Sequence, residues 1–180
     1  MTGSVTLHTP THNTDAERSV TREVFRDVFA QLPTGVTVVT TSGPGGAEPS
    51  GMTASAVCSL SLDPLLVLLC LNNHSNTLAR IRAGGSFAIS ILGHDQTQVA
   101  ERFANSDVSQ TDRFARTPHH HADDLPVLTG ALAWLTCHVA QTYPGGDHTI
   151  VTGHVRRLGS GQSAGGRPLV RHSRAFHTLA

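Results

Sequence analysis

Residues 1–18 show no hydrophobic periodicity and read as a flexible N-terminal arm. From Ser19 onward the pattern changes. Val20, Val24, Phe25, Val28, Phe29 and Leu32 recur at helical spacing, so a helix with one apolar face is expected, ended by Pro33-Thr34-Gly35. The chain then turns to β-branched runs. Residues 35–41 read as a strand, 43–46 as a turn and 48–54 as the returning strand. A third strand is expected between Ser61 and Leu71, opened by Asp63-Pro64; residues 65–71 are apolar throughout, which suggests burial on both faces. Ser75 reads as the N-cap of a short helix over 76–83, closed by Gly84-Gly85. A strand over 87–92, a helix over 95–104 and a further helical turn over 109–114 follow. Residues 117–124, TPHHHADD, read as an exposed loop. Residues 131–143 and 149–157 alternate as strands, joined by Pro144-Gly145-Gly146 as a hairpin-type turn. Residues 159–166 read as a flexible loop, and a last strand passes through Leu169-Val170.

Many strands joined by turns, with short helices at the periphery, predict a mainly β fold: a β-barrel with additions, in one domain over 19–180. A chain of 180 residues is long enough for one substantial core. Thirteen basic residues balance thirteen acidic ones, which argues against nucleic-acid binding. All thirteen are Arg. The absence of Lys excludes a P-loop lysine, a Schiff-base lysine and a Ser–Lys dyad. No apolar run reaches the ~18 residues of a membrane span, and the polar start lacks a secretory h-region. Cys58, Cys70 and Cys137 form no CxxC pair and sit among apolar neighbours, so they are expected to be reduced thiols in a core, in a cytoplasmic protein.

Several local motifs have two readings. Residues 159–164 fit GxGxxA and 161–165 fit GxSxG, but Gly165, Gly166 and Pro168 oppose the helix that either motif needs; a flexible loop is preferred to a dinucleotide site or a nucleophile elbow. His119, His120 and His121, with Asp123 and Asp124, offer metal-ligand chemistry, yet adjacent residues seldom converge on one ion, so no metal is expected. Ser75-Asn76-Thr77 is either a plain cap or an anion seat, since a helix start presents free N–H groups and a positive dipole end. Gly145-Gly146-Asp147-His148 is either a turn with a strand start, or a place where Asp147 orients the His148 ring and the glycines admit a ligand.

Taken together, FRDVFAQLPTGVTVVTT, GMTASAVCSLSLDPLLVLLCLNNHSNTL, GALAWLTCHV with YPGGDHTIVTGHV, and RPLV resemble the short-chain flavin reductases, the reductase components of two-component flavin-dependent monooxygenases. The resemblance runs from about Phe25 to Phe176. It implies a split β-barrel homodimer with a flavin near the subunit interface. By position it places the flavin against Ser50, Gly51, Met52, Thr53, Ser55 and Ala56, beside Cys70, Leu71 and Asn72, with its phosphate on Ser75, Asn76 and Thr77. It places the nicotinamide nucleotide on Gly146, Asp147 and His148. The chain departs from the family pattern at Ala56-Val57, at Asn73-His74, where a basic residue is frequent, and in the tail HSRAFHTL.

The implied activity is hydride transfer from NADH or NADPH to FMN or FAD, with release of reduced flavin to a partner monooxygenase. The cofactors carry that chemistry, and the protein stacks C4 of one against N5 of the other. Backbone N–H groups over 51–55 are expected to stabilise the charge growing at flavin N1 and O2. His148 positions the nicotinamide or its ribose, with Asp147 fixing its tautomer. The absence of an Arg beside the Gly-Asp-His turn in sequence leans towards NADH. A non-catalytic flavin carrier or sensor on the same barrel, and a metal- or haem-binding barrel, are the competing readings.

Overall fold

The computed structural model describes residues 19–43, 47–161, 163 and 165–179. The expected arm over 1–18 and most of the expected turn at 43–46 lie outside them.

Helix α1 (Arg22–Ala30) is capped by Thr21, whose hydroxyl accepts from the Val24 amide at 3.2 Å. It leads through β1 (Thr34–Gly35) into β2 (Thr37–Gly43) and β3 (Ala47–Ala54). Next come β4 (Val57–Leu62) and β5 (Leu65–Asn72), then α2 (Asn76–Gly84) and β6 (Ser86–Ile91). A 3-10 turn at His94–Gln96 precedes α3 (Thr97–Ala104) and α4 (Gln110–Ala115). The chain closes with β7 (His119–Ala122), β8 (Leu125–Leu128), β9 (Ala133–Gly145), β10 (His148–Ser160), β11 (Leu169–His172) and β12 (Ala175–Thr178).

Seven strands form one antiparallel sheet in the order β3-β2-β6-β9-β10-β5-β4. Its two edges, β3 and β4, are consecutive in sequence and joined only by Ser55 and Ala56. So short a link spans only about 10 Å, so the sheet has to curl until its edges come together. The amide of Cys70 donates to the Ala56 carbonyl at 3.0 Å where they meet. The result is a barrel left split at that seam. Its interior is filled by Val39, Leu69, Leu71, Phe87, Ile89, Cys137 and Val151, with Leu78 and Ile81 of α2 closing one end. A second cluster, including Val38, Ala100, Phe103 and Phe114, fixes α3 and α4 on the opposite face of β2 and β3.

Four local expectations are corrected. Residues 65–71 are buried on one face only: Val67, Leu69 and Leu71 point inward, while Leu66, Leu68 and Cys70 stay partly exposed. The segment 117–124 is largely the strand β7, paired with β8 through a two-residue turn in which Asp123 and Asp124 both have positive φ (50° and 61°). The β9–β10 turn is Gly146-Asp147; Pro144 and Gly145 belong to β9. Cys58 is exposed, so only Cys137 fits a fully buried thiol, its pKa pushed up to about 12 by burial. Three strands were not anticipated: β4, β8 and β12, the last returning on β11 through Ser173 and Arg174, also at positive φ (47° and 65°).

Gly159 and Ser160 end β10, Gln162 and Ala164 lie outside the described residues, and no described residue between β10 and β11 is helical. The dinucleotide and nucleophile-elbow motifs therefore lack their helix. His119 and His121 stack edge to face at 5.8 Å while His120 meets Trp134, so the three rings do not converge. No group of three potential metal ligands gathers among the described residues.

Candidate functional site

Three cavities lie side by side along the seam and the barrel end. The first, about 540 Å³, is lined by Met52 and Thr53 of β3, Asn72, the α2 start from His74 to Thr77, and Phe103, Gln110 and Arg113. The second, about 620 Å³, lies between α1 (Phe25, Phe29), with Leu32 just beyond it, and the wall of Ser55, Ala56, Cys58, Leu68 and Cys70, with Arg171 and Arg174 at its rim. The third, about 360 Å³, lies between Asn73, Arg82, Tyr143, His148 and Thr149.

The first cavity is built around a helix start. The Ser75 hydroxyl accepts from the Leu78 amide at 3.3 Å and donates to the Met52 sulfur at 3.0 Å. With Leu78 satisfied, the Asn76 and Thr77 amides are the helix's remaining first-turn donors, at the positive end of its dipole. Ser50 lies beneath them, fully buried, its hydroxyl 2.9 Å from that of Thr77. It braces the floor and is not part of the surface. Gly51 is equally constrained, because a Cβ there would lie 2.8 Å from the Phe103 ring.

Arg113 holds this floor from below. It is buried, and donates to the carbonyls of Gly51 (2.7 Å), Val108 (3.1 Å) and Asn105. Burial pulls its pKa below the ordinary arginine value. Gln110 accepts from the Gly51 amide at 2.8 Å. The cavity thus has a cation in its lining although the loop at 73–74 has no Arg or Lys. Arg113 and Gln110 escaped the sequence reading because α4 meets β3 only in three dimensions, about 60 residues apart; the lone Arg on a short helix carried no signal.

The second motif comes to the same place. His148 pairs with Asn72 across β10 and β5, and the Asn73 amide donates to the Asp147 carbonyl at 3.0 Å. The Gly-Asp-His turn therefore stands directly beside the entry to α2. Gly146 takes φ +72° at the first of two turn positions, the type II′ pattern, which other residues adopt only with strain. The His148 Nδ1–H donates to Asp147 at 2.7 Å, leaving Nε2 as the ring nitrogen outside the pair. That bond, together with the nearby imidazole, holds the Asp147 carboxyl below the usual carboxylate range. Arg82 donates to the Thr149 hydroxyl at 2.9 Å, so an Arg does stand near the Gly-Asp-His turn in space, although not in sequence.

The sequence-derived site residues are thus distributed. Met52, Thr53, Asn72, Ser75, Asn76 and Thr77 line the first cavity; Ser55, Ala56 and Cys70 line the second; His148 lines the third. Ser50, Gly51 and Leu71 are buried behind them, and Gly146 and Asp147 form the hairpin tip. The segment 52–56 is continuous between the first two cavities, and the Cys70–Ala56 hydrogen bond ties its end to β5. The arrangement suits a long ligand with an anionic end at the α2 start and a flat ring along 53–56 and 70–72.

A barrel split at one seam, a helix start with two free amides and an imidazole held beside it could serve a nucleotide, and comparison gives the family. Residues 29–180 match the flavin reductase like domain, and the chain belongs to that family. It is 41% identical over 137 residues to an NADH-dependent FAD reductase of Streptomyces globisporus, covering 74% of each chain. It is 41% identical over 145 residues to the reductase component of a 4-nitrophenol 4-monooxygenase/4-nitrocatechol 2-monooxygenase of Rhodococcus opacus, covering 81% of this chain and 74% of that one. Among solved structures, the S. globisporus NADH:FAD oxidoreductase in complex with NAD and FAD fragments superposes with a TM-score of 0.80 at 35% identity, over 88% of this chain and 93% of its own length.

Proposed function

We propose that this protein is an NAD(P)H:flavin oxidoreductase that passes hydride from reduced nicotinamide to FMN or FAD and supplies the reduced flavin to a partner monooxygenase, with NADH the favoured donor. The observation that carries this reading is the union of the α2 start with the Gly-Asp-His turn through the Asn73–Asp147 hydrogen bond. It puts an anion seat and an oriented imidazole on one rim.

The residues fit a flavin nucleotide. The Asn76 and Thr77 amides, with the buried Arg113 cation nearby, hold the phosphate. The wall of Thr53, Ser55, Ala56, Cys70 and Asn72 bears the ring system. When bound, the flavin supplies the two-electron acceptor for hydride. The Gly51 N–H is committed to Gln110, so the N–H groups of Thr53 and Ser55 are those left to stabilise the flavin edge where negative charge grows. His148, with Nδ1 committed to Asp147, holds the nicotinamide ribose or amide through Nε2. No side chain acts as a nucleophile. Orientation supplies the rate, and well-aligned reactants can gain about 7–11 kcal/mol from it.

Residues 19–180 act as one catalytic domain. The second cavity is completed by a second copy of the chain: Phe25, Val28 and Phe29 on α1, Leu32 just beyond it, and Leu62 and Leu65 at the β4–β5 turn, are each at least half exposed. Exposed large apolar side chains in this number favour an interface. The three unpaired cysteines suit the reducing cytoplasm, where NADH and flavins are held. No helix among the described residues is long and apolar enough to cross a membrane.

A steady-state assay crossing FMN and FAD with NADH and NADPH tests the function. Nicotinamide oxidation that depends on added flavin is expected. Flavin binding without turnover would favour a carrier or sensor instead.

A further inference from the structure

We propose that Asn73 is a positioning residue for the nicotinamide side of the reaction, holding the Gly-Asp-His turn in register with the flavin-phosphate seat. The inference rests on the functional reading above and goes one step past it.

Asn73 is exposed, yet every polar group it owns, save its own carbonyl, is committed. Its amide donates to the Asp147 carbonyl (3.0 Å) and its Nδ2 to the Gly146 carbonyl (3.0 Å). Its Oδ1 accepts from the Thr149 hydroxyl at 2.7 Å, and that hydroxyl in turn accepts from Arg82 at 2.9 Å. On the other side, Asn72 Oδ1 accepts from the His74 amide (2.8 Å) and the Asn72 carbonyl from the Ser75 amide (3.0 Å), which fixes the entry to α2. Asn73 therefore sits between two tight turns and clips one to the other. The clip reaches both carbonyls of the hairpin tip and the residue following His148.

Apart from the backbone ladder at its base and the Asn73 amide, no other residue of the tip supplies a side-chain tether. Gly146 carries no side chain, and the Asp147 side chain is mostly exposed and spent on His148. His148 at its base is held in register by Gly145 and Asn72, whereas the Gly146-Asp147 tip, whose carboxylate orients the ring, leans on the Asn73 side chain. Without that side chain, the imidazole keeps its backbone register and loses the fixed orientation that Asp147 gives it. Asn73 supplies geometry, and the charge comes from Arg113 below.

The test uses the full-length protein and compares Asn73→Ala, His148→Ala and the double variant, measuring KM for NADH, kcat, FMN affinity and melting temperature. Asn73→Ala is expected to raise KM for NADH about fivefold, the scale of one or two lost hydrogen bonds, with FMN affinity within twofold. On the His148→Ala background it should add less than twofold, since it acts through that ring. Thr149→Val, which removes only the hydroxyl, should move KM for NADH in the same direction by a smaller factor. The proposal is overturned if Asn73→Ala leaves KM for NADH unchanged, if it weakens FMN as much as NADH, or if its effect is undiminished on the His148→Ala background. If His148→Ala itself leaves NADH use intact, the reading of the Gly-Asp-His turn fails with it, and that outcome is visible separately from the other three.

Discussion

Around α2 and the β9–β10 tip, the chain satisfies itself. Ser75 caps the helix, Ser50 braces Thr77, Arg113 carries the Gly51 carbonyl, and Asn73 clips the hairpin. Around α1 and the β4–β5 turn it does not. None of the nine residues of α1 is buried, and Phe25 and Phe29 stack on each other at 4.5 Å with both rings more than half exposed. The polar side is finished within one protomer, and the apolar side waits for cover. Under the proposed function, the preorganised side would hold phosphate and nicotinamide, and the bed of the ring system would be left to assembly.

The largest effect is expected where the cover is missing. Phe29→Asp places a charge on the exposed α1 face, and each buried Phe is worth about 1.5–3 kcal/mol, counted twice across a symmetric interface. Light scattering should then give half the wild-type mass at micromolar concentration, with flavin reductase activity falling at least tenfold; an unchanged mass would break the contrast between the two sides. Next comes Gly51→Ala. Its Cβ would lie 2.8 Å from Phe103, and overpacking of this kind costs about 1–3 kcal/mol, so the melting temperature should drop by several degrees and FMN affinity should weaken. Ser75→Ala removes the α2 cap, worth about 1 kcal/mol, and should weaken FMN far more than it weakens riboflavin.

Much of the polar side was legible because it is local. A Ser before a short apolar-patterned helix, and a Gly-Asp-His between two alternating strands, announce themselves within a dozen residues. The failures have physical causes. The β7–β8 and β11–β12 hairpins turn on Asp123-Asp124 and Ser173-Arg174, which take left-handed backbone without the Gly or Asn that normally flags it. Leu66, Leu68 and Cys70 suggested a two-sided core because hydrophobicity alone does not say which face of a strand the rest of the chain covers. Arg113 and Gln110 were invisible because their function depends on packing against Gly51 from α4.

The smaller effects concern groups whose protonation the structure sets. Cys137, its pKa raised to about 12, should resist thiol reagents at pH 8 in the native protein while Cys58 reacts; both should react in denaturant. Asp147 has a lowered pKa in the folded chain, so it adds stability above its unfolded pKa and loses it as pH falls through the folded one. The pair with His148 is exposed to solvent and screened, so Asp147→Asn should move the acid-unfolding midpoint only slightly. A large shift would mean that the hairpin tip is a structural element before it is a functional one.

The most direct measurement is amide NMR of the full-length protein titrated with FMN and, separately, with riboflavin, which lacks the phosphate. Large shifts of the Asn76 and Thr77 amides with FMN and much smaller ones with riboflavin are expected, both ligands shifting residues 53–56. Identical shifts from the two flavins, or FMN shifts that leave Asn76 and Thr77 unmoved, would contradict an anion seat at the start of α2.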